Sequence, residues 1–185
     1  MQYKMVEYSE TLDLSNFYSL AKAKGFNNNC SKEKLIDCFA NEREHQVWIL
    51  YYNNNPVGSV AAHSFDEMGK NSYRIAARTC VLTDEIPTPT LRTRNQIVTQ
   101  QHVTGQFLIP ACIEWAGKDS NLYCTSNNLG SKSQKRVHNI FFPALEKAGQ
   151  VERICNMMYR GDLQTVWKLN VSNFYKVLHK YKRWT

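Results

Sequence analysis

Three cations crowd one short stretch: Lys132, Lys135 and Arg136 stand inside SKSQKR. The stretch opens a predicted helix over 131–148. The first turns of a helix already carry partial positive charge, so cations there are mildly unfavourable unless an anion lies beside them. A phosphate-bearing ligand would reverse that sign. The plain alternative is side chains extended into water, which costs little. His138 follows one turn into the same helix, beside its apolar face; histidine is the side chain that carries protons near neutral pH. His63 sits in a predicted strand and reads as structural. Cys124 also lies in an apolar strand-like run, where nothing lowers its pKa, so it reads as a small packed hydrophobe rather than a nucleophile. The remaining cysteines are Cys30, Cys38, Cys80, Cys112 and Cys155, with no pair at C-x-x-C spacing. The histidines are scattered, so no metal site is expected. This usage fits a reduced chain in the cytoplasm.

The elements that must hold these residues centre on two strands. SYRIAARTCVL, 72–82, and NLYCTS, 121–126, are each bracketed by helical sequence, which predicts a parallel pair with a helical crossover. Ligands in such sheets sit at the carboxyl ends of the strands, here Val81-Leu82-Thr83 and Thr125-Ser126-Asn127. Before them, 3–8 reads as a strand. Leu14, Phe17, Tyr18 and Ala21 share one face of a helix ending at Gly25. Ser31 caps a second helix that turns Leu35, Cys38 and Phe39 inward. QVWILYY, 46–52, has no alternation and reads as a strand buried on both faces. It pairs with 57–65 through the turn Asn53-Asn54-Asn55-Pro56. DEIPTPT, 84–90, is a proline-broken loop, and 91–103 is either helix or irregular. Pro110 is the expected first residue of a helix carrying Cys112, Ile113 and Ala116. The helix over 131–148 turns Val137, Ile140, Phe141, Ala144, Leu145 and Ala148 inward, with a kink at Pro143 and an end at Gly149. Strands over 151–159 and 163–170 flank a turn at Arg160-Gly161-Asp162. Ser172 caps a last helix with Phe174, Val177, Leu178 and Tyr181 on its packed face.

The totals bound the rest. A chain of 185 residues is expected to form one domain, 1–185. Its formal charge of +7 favours an anionic partner or simply a solvated basic surface. Nucleic acid is not the expected partner, because Lys176, His179, Lys180, Lys182 and Arg183 form the outer face of a packed helix. The N-terminal MQYKMVEYSE lacks the apolar core of a signal peptide, and no apolar run has the length of a membrane span.

The order of elements is strand, two helices, three antiparallel strands, helix, strand, helix, two strands, helix. It resembles the GNAT acetyltransferase superfamily over nearly the whole chain, with NNNPVGSV matching the family's polar turn and glycine between its second and third strands and ALEKAG matching its helix-ending lysine-x-glycine. The resemblance implies a single-domain α/β (α+β) fold, a mixed central sheet of about seven strands with helices on both faces. It implies acetyl-CoA as the donor, no metal, and an amine acceptor that attacks the thioester directly, the strand backbone stabilising the oxyanion. The family's pyrophosphate loop has two candidate registers. Gln100-Gln101-His102-Val103-Thr104-Gly105 keeps the first and last positions; Arg92-Thr93-Arg94-Asn95-Gln96-Ile97 lies closer to the strand and keeps only the arginine. The first is preferred because FLIPACI follows Gly105. The cofactor-binding expectation therefore comprises Val81, Leu82, Thr83, Gln100, Gln101, Thr104, Gly105, Asn127, Lys132, Lys135 and Arg136. The family's usual acid is a tyrosine whose position falls on Leu145 here, which cannot donate a proton. Glu85 and His138 remain as catalytic candidates. The implied activity is N-acetyl transfer; the alternative is a non-catalytic GNAT-fold protein that binds CoA, protein or nucleic acid.

Overall fold

The computed structural model describes residues 3–75, 80–82, 103–117, 119–130 and 132–174. They fall into two compact units, Met1–Ser64 with Ile75–Gly117, and Phe65–Arg74 with Lys118–Thr185.

In the first unit, β1 (Tyr3–Glu7), β2 (His45–Tyr52) and β3 (Asn55–Ser64) pair antiparallel in sequence order. Val47, Trp48, Ile49 and Leu50 are buried in succession, as an unbroken apolar run between two neighbours requires. Asn53 and Asn54 hold positive φ angles of 47° and 65°, so they make the two-residue turn whose twist matches a hairpin. Pro56 enters the ladder at an irregularity in pairing after Leu50, where its missing N–H is tolerated. β5 (Cys80–Val81) lies antiparallel on β3 opposite Ser59 and Gly58. α1 (Ser15–Ala23) buries Phe17 and Ala21, and Gly25 follows it at φ 81°. Ser31 accepts a hydrogen bond from the Lys34 N–H and so caps α2 (Lys32–Leu35). Leu14, Phe17, Leu35, Phe39, Val47, Ile49, Ala61 and Leu82 form this unit's core.

The last helix of this unit starts earlier than expected. A π turn, Thr104–Leu108, runs directly into α3 (Ile109–Ala116), so Pro110 lies inside the helix rather than at its start. Proline has no N–H and crowds the carbonyl one α-turn back. In the wider π register the Ile109 N–H reaches back to the Thr104 carbonyl, which accommodates the proline without breaking the helix. Val103, Leu108, Cys112 and Ile113 face inward.

In the second unit, β4 (Ser72–Ile75) pairs parallel with β6 (Asn121–Ser126), as the two-strand reading predicts. Within the 72–82 stretch, β4 pairs with β6 and β5 with β3. The parallel register runs from Ser72/Asn121 to Arg74/Tyr123. β6 continues to Ser126 on β8 (Asp162–Leu169), and β8 carries β7 (Val151–Tyr159), both antiparallel. Arg160 and Gly161, at φ 50° and 85°, make the tight turn between β7 and β8. Phe65, Tyr123, Tyr159 and Val166 form the core.

The helix after β6 is α4 (Lys132–Arg136), a π turn (Val137–Phe141) and α5 (Phe142–Lys147). Here the expected apolar stripe is corrected. Ile140 is 62% exposed, Val137 39% and Phe141 37%, and Ala144 and Ala148 are also exposed. The face turned to the sheet is Phe142, buried, with His138 and Leu145 half-buried, about 100° or one residue further round. What decides this is aromatic fit: Phe142 stacks on Trp167 at 5.0 Å and 7°. The helix ends as expected at Gly149, φ 69°; the N–H groups of Gly149 and Gln150 bond the carbonyls of Glu146 and Leu145. Residues 171–174 are helical, and the Asn173 N–H bonds the Asn170 side chain, so Asn170 takes the capping place expected of Ser172.

Candidate active site

Arg74 is buried at the last parallel pair of β4 and β6. Its Nε and Nη2 donate to Thr125 Oγ1 at 3.0 and 2.7 Å, and its guanidinium lies 4.9 Å from the centre of the Tyr159 ring. Strand pairing puts Arg74 beside Tyr123, and Thr125 is two residues further on the same face of β6. A positive charge is thereby fixed next to the carboxyl end of β6. Sequence reading missed Arg74; its only signal was a cation inside an otherwise apolar strand pattern.

One residue on, Ser126 is buried and ends β6. The Trp167 Nε1–H donates to Ser126 Oγ at 2.9 Å, and His138 Nδ1 lies 2.9 Å from the same oxygen. Trp167 comes from β8, whose register places it opposite Cys124. His138 comes from the π turn, and the Phe142–Trp167 stack one turn later holds that helix on the sheet. Burial pushes the Cys124 thiol up to about 11, with the Arg74 guanidinium pulling the other way, so it is an un-ionised thiol at neutral pH, as expected. Cys30, Cys38, Cys112, Cys124 and Cys155 are all free.

The loop after β6 is built from asparagines. Asn127 Oδ1 accepts the Leu129 N–H at 3.3 Å, and Asn139 Nδ2 donates to Asn128 Oδ1 at 2.8 Å, tying the loop to the helix. Asn127, expected at the cofactor, thus spends one side-chain oxygen on its own turn. Lys132, Lys135 and Arg136 are exposed and form no ion pair among the described residues.

In the first unit, the expected site residues have different surroundings. Leu82 is core, and its N–H donates to the Val57 carbonyl at 2.7 Å, so that N–H is not an oxyanion donor. Val81 pairs with Gly58. Gly105 is not in an open loop; it is buried in the π turn beside half-buried Thr104. Next to it, Gln106 Nε2 is buried with no hydrogen-bond partner among the described residues. Thr83, Glu85, Gln100, Gln101 and the 92–97 register lie outside the described residues. His63 is structural as expected: fully buried, with Nδ1 donating to the Ser64 carbonyl at 2.6 Å. Tyr123 and Tyr159 are both packed around Phe65, in the core.

Solved structures match this fold over most of the chain. A GNAT-family protein from Desulfovibrio desulfuricans is 12% identical, with a TM-score of 0.59 over 92% of this chain and 99% of its own. Aminoglycoside acetyltransferase AAC(6')-Ib, solved with coenzyme A, is 14% identical with a TM-score of 0.56 over 95% of this chain and 98% of its own. A GNAT family acetyltransferase from Elizabethkingia anophelis, solved with acetyl-CoA bound, is 13% identical with a TM-score of 0.52, over 90% and 97%. The chain has the GNAT fold. At these identities the likeness is one of backbone; no family model matches the sequence, and no curated protein does. The GNAT fold carries a mixed sheet, and the second unit shows both parallel and antiparallel pairs. Among the described residues, no group of side chains could hold a metal ion, and no helix is long and apolar enough to cross a membrane.

Proposed function

We propose that this chain is an N-acetyltransferase that binds acetyl-CoA and passes its acetyl group directly to an amine. The observation that carries the reading is the cluster Lys132, Lys135 and Arg136: exposed, without ion pairs among the described residues, in the helix that follows the carboxyl end of β6. Cations at a helix start lack a partner until an anion arrives, and CoA brings phosphates. The fold supports the donor, since two structurally similar proteins hold CoA or acetyl-CoA. In this reading Asn127, in the loop after β6, borders the donor beside those cations, and Glu85 or His138 carries the proton. The free cysteines fit work in the reducing cytoplasm. The acceptor is an amine of unnamed structure.

A second reading, binding without transfer, is favoured by Leu145, an apolar side chain at the position where the family places its acid. A thiol-release assay with acetyl-CoA and a panel of amines separates the two. Turnover supports transfer. CoA binding with no turnover on any amine would replace the enzyme by a binding protein on the same fold.

A further inference from the structure

Leu145 leaves the proton unassigned, and the structure offers another carrier. We infer that His138 is the proton carrier of the transfer, held for that task by Ser126 and Trp167; this rests on the acyl-transfer reading above. The Trp167 N–H can only donate, so at 2.9 Å it fills one lone pair of Ser126 Oγ. That oxygen keeps a second lone pair and its own hydrogen, and His138 Nδ1 lies 2.9 Å away; the relay takes Nδ1 as the donor of this contact. A ring that accepts a proton at Nε2 must carry hydrogen on Nδ1, and Ser126 is placed to receive it. His138 is half-buried, and its contact with Ser126 puts it at the carboxyl end of β6, where sheets of this kind present their chemistry. Leu145 is seven residues on, half-buried on the same face of the same helix. Two turns separate the residue that lost the acid from the one that supplies it.

The step balances. The amine nitrogen attacks the thioester carbonyl, and His138 Nε2 takes the proton that nitrogen sheds. The C–S bond then breaks with its electron pair going to sulfur, and the imidazolium returns the proton to that sulfur. The products are amide and free thiol, and His138 ends neutral. Nδ1 keeps its hydrogen on Ser126 throughout. His138 is thus a catalytic residue; Ser126 and Trp167 are positioning residues.

The test combines kinetics with nitrogen-15 spectra of the histidine rings in the ligand-free protein at neutral pH. His138→Gln is expected to lower kcat at least 100-fold while the KM for acetyl-CoA stays within about threefold, the range for a lost acid–base group. Ser126→Ala should lower kcat about tenfold at unchanged KM. Trp167→Phe, which keeps the stack on Phe142 but removes the N–H, should have a smaller effect of the same kind. The wild-type spectrum should show hydrogen on Nδ1, and Ser126→Ala should lose that preference. A wild-type ring protonated on Nε2 alone, or a His138→Gln enzyme with normal kcat, overturns the proposal. Absence of turnover in wild type overturns the catalytic role too. The spectrum then says which idea failed: an Nδ1–H ring condemns the acyl-transfer reading, and an Nε2–H ring condemns the relay.

Discussion

Two helices in this chain solve the same problem with opposite outcomes. Each carries a π turn that ends two residues before a proline: Thr104–Leu108 before Pro110, and Val137–Phe141 before Pro143. In both, the residue just ahead of the proline bonds back five places, Ile109 to Thr104 and Phe142 to Val137. Proline forces that widening because the α register would drive its ring against a carbonyl. The first helix is seated deeply, with Val103, Leu108, Cys112 and Ile113 all buried. The second touches its sheet along Phe142, with His138 and Leu145 at half burial, and leaves Val137, Ile140 and Phe141 exposed. Apolar counting assigns both helices inward faces, and it serves only the first. In the second a stacked aromatic pair and a hydrogen bond to Ser126 set the rotation. The helix that is seated less deeply is also the one that presents a histidine and three cations.

Substitutions can break that contrast. The largest expected effect is Phe142→Ala, which removes the stack on Trp167 and should cost about 3–5 kcal/mol in denaturant unfolding. If the apolar stripe were the buried face instead, Ile140→Ala would be the costly change. Leu108→Ala in the first helix should cost about 2–5 kcal/mol by the same measurement, since Leu108 is fully buried. A pH series reads the sheet beneath the second helix. The Cys124 thiol ionises near 9 in the unfolded chain and about 11 in the native one. Between those values the unfolded chain binds fewer protons, so stability should fall as pH rises, by on the order of 2 kcal/mol across the window. Cys124→Ala should flatten that slope. The smallest effect is Ile140→Ser, expected to stay within about 0.5 kcal/mol because its side chain is in water. A loss of several kcal/mol there would reverse the rotation inferred for this helix.

What was legible in the sequence was local. The unbroken run VWIL predicts a two-sided strand, Asn53-Asn54 predicts a turn of positive φ, and Gly149 predicts a helix end; each is set by neighbours in the chain. The parallel pair was also legible, because helical sequence brackets both strands. The pieces of the site that escaped are long-range. Trp167 meets Ser126 from 41 positions away, and Arg74 meets Thr125 from 51. Such pairs exist only once strand register is known. The helix face was misassigned because a π turn and an aromatic stack override the 3.6-residue period. His138 and Ser126 were each noted in the sequence, one as a proton carrier and one at a strand end, and only the fold shows that they touch. Gly105 was placed at an open loop, yet it is buried in a helix, so Gly105→Val would test packing rather than ligand approach.

The cations of the second helix carry the functional account, and a titration tests them directly. Calorimetry of CoA and acetyl-CoA into the wild type and into a Lys135→Glu, Arg136→Glu double variant is the measurement. Both side chains are exposed, so the variant should unfold at nearly the wild-type denaturant concentration. The account predicts saturable binding to wild type and a loss of at least about tenfold in the variant, lessened by added salt as expected for phosphate contacts. No heat of binding to wild type at millimolar ligand, or equal affinity in the two proteins, would contradict it.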